Sequence, residues 1–152
     1  MLKDFDPTSH EPFIRLLDVA FSEFEAELSR RLATTAYADI RPAHACVFGH
    51  IDPDGSRLTD LADRARMTKQ SVGEVTNDLE QRGYVERVPD PSDGRAKIIR
   101  LTARGHEAQA LGWRLIDDLE REWAKRFGAE RIAALREALE AVTAERLGAV
   151  PA

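Results

Sequence analysis

The feature that most restricts what this chain can fold into is a change of apolar period near residue 84. Before it, the spacing is helical. Leu58-Thr59-Asp60-Leu61-Ala62-Asp63-Arg64-Ala65 predicts a short helix with Thr59 as N-cap and Leu61, Ala62 and Ala65 facing inward. Thr68 is the next N-cap and opens a second helix to Arg82, where Val72, Val75 and Leu79 form one buried stripe and Gly83 can take the left-handed position after the helix. Beyond it the pattern alternates. Tyr84–Val88 reads as a strand, Pro89-Asp90-Pro91-Ser92-Asp93-Gly94 as a turn, and Ala96–Leu101 as the returning strand of a hairpin.

Helices flank this middle. From Glu11 to about Leu32 the apolar residues Phe13, Leu16, Leu17, Ala20, Phe21, Phe24 and Leu28 step by three and four, with Ser9 as a candidate N-cap and Pro12 in the first turn. A short helix is expected from Pro42 through Phe48, ended by the turn Asp52-Pro53-Asp54-Gly55. Thr102 caps a long helix carrying Ala108, Leu111, Leu115, Leu119 and Trp123 on one stripe. Gly128 breaks it, and a last helix carries Ile132, Leu135, Leu139 and Val142. Phe13, Leu16, Leu17 and Phe21 at one end, and Ile132, Leu135, Leu139 and Val142 at the other, are apolar faces outside the compact middle. They are expected to be dimerisation surfaces; packing against each other within one chain is the alternative, and both can hold.

Composition excludes several classes. Of 152 residues, 43% are hydrophobic and 32% charged, which suits one domain with a packed core and not a disordered chain. No run approaches the roughly 18 apolar residues of a membrane span. The start Met1-Leu2-Lys3-Asp4-Phe5-Asp6 lacks a cationic segment followed by an apolar run, and the single cysteine, Cys46, excludes an internal disulfide, so a cytoplasmic protein is expected. Net charge is −5, but residues 57–104 hold 10 Lys/Arg and 8 Asp/Glu, a net of +2 against −7 elsewhere. A mildly basic middle between acidic flanks permits contact with DNA through one face.

The order helix, turn, helix, β-hairpin is that of a winged helix-turn-helix, in which the second helix fits the major groove. Lys69, Gln70, Ser71, Thr76 and Asn77 lie off the buried stripe and carry donors and acceptors suited to base edges, while Gly73 leaves the backbone bare for close approach. An ordinary solvated helix face would look the same. Arg87, Arg95, Lys97 and Arg100 make the hairpin basic, and Arg95 follows Asp93-Gly94 at the tip, where a flexible cation can meet phosphates or enter a minor groove. Helix and basic hairpin together are more specific than either alone.

Other chemistry is thin. Cys46 and His50 are one helical turn apart with His44 nearby, but a metal site needs three or four converging ligands, so buried structural roles are favoured. Phe24, Phe48, Trp113, Trp123 and Phe127 read first as core or interface residues, some of which could line an aromatic ligand pocket. No catalytic constellation, phosphate loop or cofactor motif is present, so an enzyme is not expected.

Five segments carry a resemblance to a known family. Leu58-Thr59-Asp60-Leu61-Ala62, Met67-Thr68-Lys69-Gln70-Ser71-Val72, Leu79-Glu80-Gln81-Arg82-Gly83-Tyr84-Val85-Glu86-Arg87, Pro89-Asp90-Pro91-Ser92-Asp93-Gly94-Arg95-Ala96-Lys97 and Leu101-Thr102-Ala103-Arg104-Gly105 resemble the MarR family of bacterial transcription regulators. The specific match runs from about Leu58 to Gly105, sharpest at Asp93-Gly94-Arg95-Ala96-Lys97. Gly73 and Glu74 depart from it, the first by lacking a side chain and the second by its negative charge. The resemblance implies a mainly α fold with a small β-hairpin wing, in a single domain over 1–152. About 42–104 would be the DNA-binding lobe, and about 9–33 and 105–148 the intertwined dimerisation helices. It implies a homodimer on double-stranded DNA, with a helix from Thr68 in the major groove and wing residues Arg87, Asp93, Arg95 and Lys97 at the minor groove and phosphates. It also implies a small-molecule effector pocket between the dimerisation helices and the lobe, for which His44, Phe48 and Trp113 are candidates. The expected protein is a ligand-responsive repressor of a near-palindromic operator, with no cofactor; the alternative is a winged-helix protein-interaction module without specific DNA binding.

Overall fold

The computed structural model describes residues 10–147. Its elements are α1 (Phe13–Leu32), a 3-10 turn (Pro42–His44) continuing into α2 (Ala45–Phe48), α3 (Leu58–Ala65), α4 (Lys69–Gln81), β1 (Val85–Asp90), β2 (Asp93–Leu101), α5 (Ala103–Phe127) and α6 (Ala129–Leu147). The architecture is mainly helical with one antiparallel hairpin, as the period change at residue 84 predicts. The chain forms two compact units that divide after Trp113, within α5.

The first unit has its core where α2, α3, α4, the hairpin and the first turns of α5 converge. Val47, Leu61, Val72, Leu79, Tyr84, Val85 and Ile99 are fully or almost fully buried there. The predicted α4 stripe holds at Val72 and Leu79, with Val75 partly buried. Thr76 corrects the sequence reading. It lies one turn after Val72, is completely buried, and its hydroxyl donates to the Val72 carbonyl at 2.7 Å. That local bond satisfies the hydroxyl, so burial carries no unpaired polar group and Thr76 is withdrawn from the outer face.

Helix boundaries follow local chemistry. Thr68 caps α4 as predicted, its Oγ1 accepting the Ser71 N–H at 3.1 Å. Gly83 adopts φ 80°, the left-handed conformation that glycine enters without steric cost. Thr102 opens α5, its Oγ1 accepting the Gly105 N–H at 3.1 Å and donating to the Gly83 carbonyl at 2.6 Å. Two caps differ from expectation. α3 starts two residues earlier than a Thr59 cap allows, with Arg57 in extended conformation at the N-cap and no side-chain bond to the helix end. α1 starts after Pro12, whose carbonyl accepts the Arg15 and Leu16 N–H groups; Ser9 lies outside the described residues.

The hairpin runs further than the turn residues suggested. Pairing extends from Val85↔Leu101 to Pro89↔Lys97, then resumes at Asp90↔Asp93, so Gly94, Arg95 and Ala96 leave the regular ladder. Proline at 89 brings no N–H to the ladder, and the irregularity follows it directly. Ser56 adds a bridge to the other edge of β2 through reciprocal bonds with Ile99 of 2.8 and 2.9 Å.

The second unit contains the rest of α5 and α6, separated by Gly128. Trp123 and Phe127 pack edge to face at 5.9 Å, and Arg136 of α6 pairs with Glu120 of α5. Leu135, Leu139 and Val142 of α6 are exposed, and in the first unit so are Phe13, Leu16, Leu17 and Phe21 of α1. Among the described residues no helix is long and apolar enough to cross a membrane.

Gly105 shows how tightly α5 joins the core. A Cβ there would lie 2.0 Å from the Tyr84 carbonyl oxygen, which accepts the Thr102 N–H at 3.0 Å. Gly105→Ala must displace backbone and is expected to cost about 1–3 kcal/mol of stability. Thermal unfolding followed by circular dichroism checks this; an unchanged melting temperature would contradict the packing described.

Candidate nucleic-acid interface

α4 and the hairpin wing supply the candidate surface. Along α4, Thr68, Lys69, Gln70 and Asn77 are exposed, whereas Ser71 and Gly73 are half-buried. The Thr68 hydroxyl donates to Ser71 Oγ at 2.8 Å while accepting the Ser71 N–H, so Ser71 works in the cap before it works outward. Gln70 Nε2 donates to Glu74 at 3.4 Å, and no partner of its amide oxygen is found among the described residues. A Cβ at Gly73 would meet only Leu58 at 3.7 Å, an ordinary contact. The protein's own packing therefore does not require glycine at this place.

The back of α4 is fixed by one carboxylate. Asp78 accepts from Arg41 at 2.7 Å, His44 Nε2 at 2.7 Å and Arg82 Nε at 3.0 Å. These bonds, His44 first, hold the Asp78 carboxyl well below the usual carboxylate range. His44 is 1% exposed and its Nδ1 accepts the Arg41 N–H at 2.9 Å, so neutral His44 carries its proton on Nε2 toward Asp78. Both ring nitrogens are engaged. This corrects the placement of His44 in an effector pocket: it is a buried brace between the 3-10 turn and α4.

The other pocket candidates have different surroundings. Phe48 is partly buried, packs edge-on against Tyr84 at 5.9 Å, and its carbonyl accepts from Gln109. Trp113 is 49% exposed on α5. A groove of about 460 Å³ occurs in the second unit instead, between Asp117, Glu120 and Ala124 of α5 and Ala129, Ile132 and Arg136 of α6. Cys46 is half-buried with Sγ 3.2 Å from the Ala43 carbonyl, and burial pushes its thiol up, which lowers thiolate content. Among the described residues no three metal-ligating side chains converge.

The wing is clasped at its base. Asp90 is 6% exposed and accepts from the Ser92 N–H and hydroxyl, each at 2.8 Å, and from Arg57 Nε at 2.7 Å. The Ser92 bonds, with Arg57, bring its pKa down to about 2. At the tip Asp93 accepts the Arg95 N–H at 3.1 Å and shapes the turn. Arg95 and Lys97 are exposed and have no carboxylate partner among the described residues. Arg87 and Arg100 differ. Arg100 pairs across the strands with Glu86 at 2.7 Å, and Arg87 bonds Asn77 Oδ1 at 2.7 Å and the Glu80 carboxylate.

Charge in the lobe is thus sorted. Arg41, Arg57, Arg64, Arg82, Arg87, Arg100 and Arg104 each have an acidic partner. Arg66, Lys69, Arg95 and Lys97 have none among the described residues. Sequence reasoning missed Arg66. It sits between α3 and α4 at φ 53°, a positive-φ position for a non-glycine residue, and its place in the inter-helix turn was the available signal.

A two-helix turn followed by a basic-tipped hairpin defines a winged helix-turn-helix. Known proteins agree. A model of the MarR family matches residues 38–96. The transcriptional regulator HosA of Escherichia coli O111:H- is 30% identical over 90 residues, covering 59% of this chain and 67% of its own length. The chain belongs to the MarR family. Solved structures share its fold: the reduced form of MarR from E. coli has a TM-score of 0.76 at 24% identity, over 89% of this chain and 98% of that one. Streptococcus pneumoniae FabT in complex with DNA has a TM-score of 0.71 at 20% identity, over 85% and 91%. CouR from Rhodococcus jostii RHA1 bound to p-coumaroyl-CoA has 0.67 at 20%, over 84% and 88%.

The depressed Asp90 pKa sets a pH dependence. A carboxyl whose folded pKa lies below its unfolded value near 3.8 stabilises fully above that value, and the contribution is lost as pH falls toward about 2. Asp90→Asn should melt at a lower temperature at pH 7, and the gap to the native chain should shrink between pH 4 and about 2. A gap independent of pH would show that Asp90 acts through packing and not charge.

Proposed function

We propose that this chain is a ligand-responsive transcriptional repressor that binds near-palindromic double-stranded DNA as a homodimer, without catalysis or a bound cofactor, in the cytoplasm. The observation that carries this is the sorting of charge. Arg66, Lys69, Arg95 and Lys97 are the unpaired cations of the lobe, and they fall in the inter-helix turn, at the start of α4 and on the wing. A cation already paired must give up its partner to meet a phosphate; these four need not. The residues at about 42–104 form the DNA-reading lobe. α4 enters the major groove with Lys69, Gln70 and Asn77 outward, Thr68 and Ser71 at its N-terminus, and bare Gly73 at closest approach. Arg95 and Lys97 reach the adjacent minor groove and phosphates from the turn that Asp93 shapes.

The exposed apolar residues of α1 and α6 support dimerisation. Phe13 is 75% and Val142 82% exposed in the single chain, and Leu16, Leu17, Phe21, Leu135 and Leu139 are also exposed. Together with Ile132 they form faces that a second copy covers. A twofold axis then presents two α4 helices to half-sites about one DNA turn apart. An effector acts by binding one spacing of these helices more tightly than the other. CouR bound to p-coumaroyl-CoA supports a small organic ligand, and Phe48 and Trp113 are its proposed contacts here.

Two experiments test this. Light scattering at micromolar protein should give about twice 17.0 kDa; a stable monomer removes the two-half-site mechanism. Titrations at several salt concentrations separate readout from attraction. Gln70→Ala should cost about 1–3 kcal/mol on the selected operator and little on unrelated DNA. Arg95→Ala should weaken both and shallow the salt slope by roughly one unit per subunit. An unchanged slope would remove the wing from the interface.

A further inference from the structure

Asn77 lies on the exposed face of α4, two turns beyond Lys69, and its side chain is not free to rotate. Arg87 of β1 donates through Nη2 to Asn77 Oδ1 at 2.7 Å, while its Nη1 is held by the Glu80 carboxylate one turn further along α4. A guanidinium has donors only, so the atom of the Asn77 amide that faces it must be the oxygen. The amide orientation is therefore set by chemistry. The Nδ2 group turns the other way and has no partner among the described residues.

That orientation has a consequence for base recognition. A free asparagine reads adenine with both ends of its amide, the oxygen accepting from N6 and the nitrogen donating to N7. Here one lone pair of the oxygen is taken by a cation and the oxygen is directed at Arg87 instead of at a base, so the two N–H donors are what remains to read with. Donors match guanine best, whose O6 and N7 both accept, and thymine through O4; adenine offers only N7, beside an N6 donor that the held oxygen no longer meets. We propose that Asn77 is a specificity-determining residue that selects a keto base, guanine or thymine, at one position of each half-site, and that Arg87 and Glu80 are positioning residues that set this preference without touching DNA. The proposal rests on the reading of α4 as the major-groove helix. It also gives Arg87 a role different from a phosphate contact, since both ends of its guanidinium are already engaged by α4.

Selection of bound duplexes from a random-sequence library, with the full-length native protein and three variants, tests it. Melting curves of each variant accompany the selections. The native protein should enrich guanine or thymine at one position per half-site. Asn77→Asp keeps an acceptor for Arg87 and removes both N–H donors; at that position alone it should shift enrichment to cytosine or adenine, and its affinity for the native site should fall roughly ten-fold or more. Arg87→Met frees the Asn77 oxygen and should move the same position toward adenine with no change in salt slope. Arg87→Lys restores a donor and should keep the keto preference, a rescue that a purely structural role of Arg87 would not produce. The proposal is overturned if no position distinguishes the native protein from Asn77→Asp, or if the position that does is adenine in the native selection. A drop in salt slope for Arg87→Met would overturn the positioning role and make Arg87 a phosphate contact. Should the native protein enrich no sequence at all, the DNA-reading function fails and this proposal with it; enrichment of a site indifferent to Asn77 defeats the proposal alone.

Discussion

The placement of α4 depends on a single carboxylate. Asp78 gathers Arg41, His44 and Arg82, and so ties the last turn of the helix to the 3-10 turn before α2 and to the capping residue that follows. On another side Arg87 ties α4 to β1 through Asn77 and Glu80. Apart from buried His44, the pairs made by these arginines are partly exposed and contribute little to stability, generally under about 1 kcal/mol each. Their effect is geometric: they fix where the helix lies relative to the turn and the wing. They also decide which cations stay available. Seven arginines are matched to carboxylates, and the four unmatched cations fall in the inter-helix turn, at the start of α4 and on the wing.

This sorting reconciles a net charge of −5 with a DNA-binding fold. Acidic flanks do not neutralise a face whose cations they do not pair with, and at physiological salt fields are screened beyond about 8 Å. Local pairing, more than the overall balance, sets affinity for phosphates.

Much of the fold was legible because the signals are local. Thr68, Thr102, Gly83 and Gly128 act on backbone within a few residues, and each stands where its chemistry requires. The misreadings come from contacts that sequence spacing does not show. The polar hydroxyl of Thr76 suggests an outward residue, although it follows Val72 by one turn and satisfies itself on that carbonyl. Nothing near His44 in the sequence points to its partner Asp78, 34 residues on. Arg87 reads as one more wing cation, because sequence spacing does not reveal that β1 brings it against Asn77 and Glu80. The hairpin ran longer than its turn residues implied because Asp90, buried by Ser92 and Arg57, can pair within the ladder.

On the proposed reading, α4 and the wing tip meet DNA together, once in each subunit of the dimer. Hydroxyl-radical footprinting on a selected genomic fragment tests it most directly, since it reports backbone contact nucleotide by nucleotide. Two equivalent sets of backbone protections are expected, related by a dyad and centred about 10–10.5 base pairs apart, each with a protected segment across the adjacent minor groove where the wing tip lies. A single asymmetric protection, or two sets with the adjacent minor grooves open to cleavage, is the opposite result.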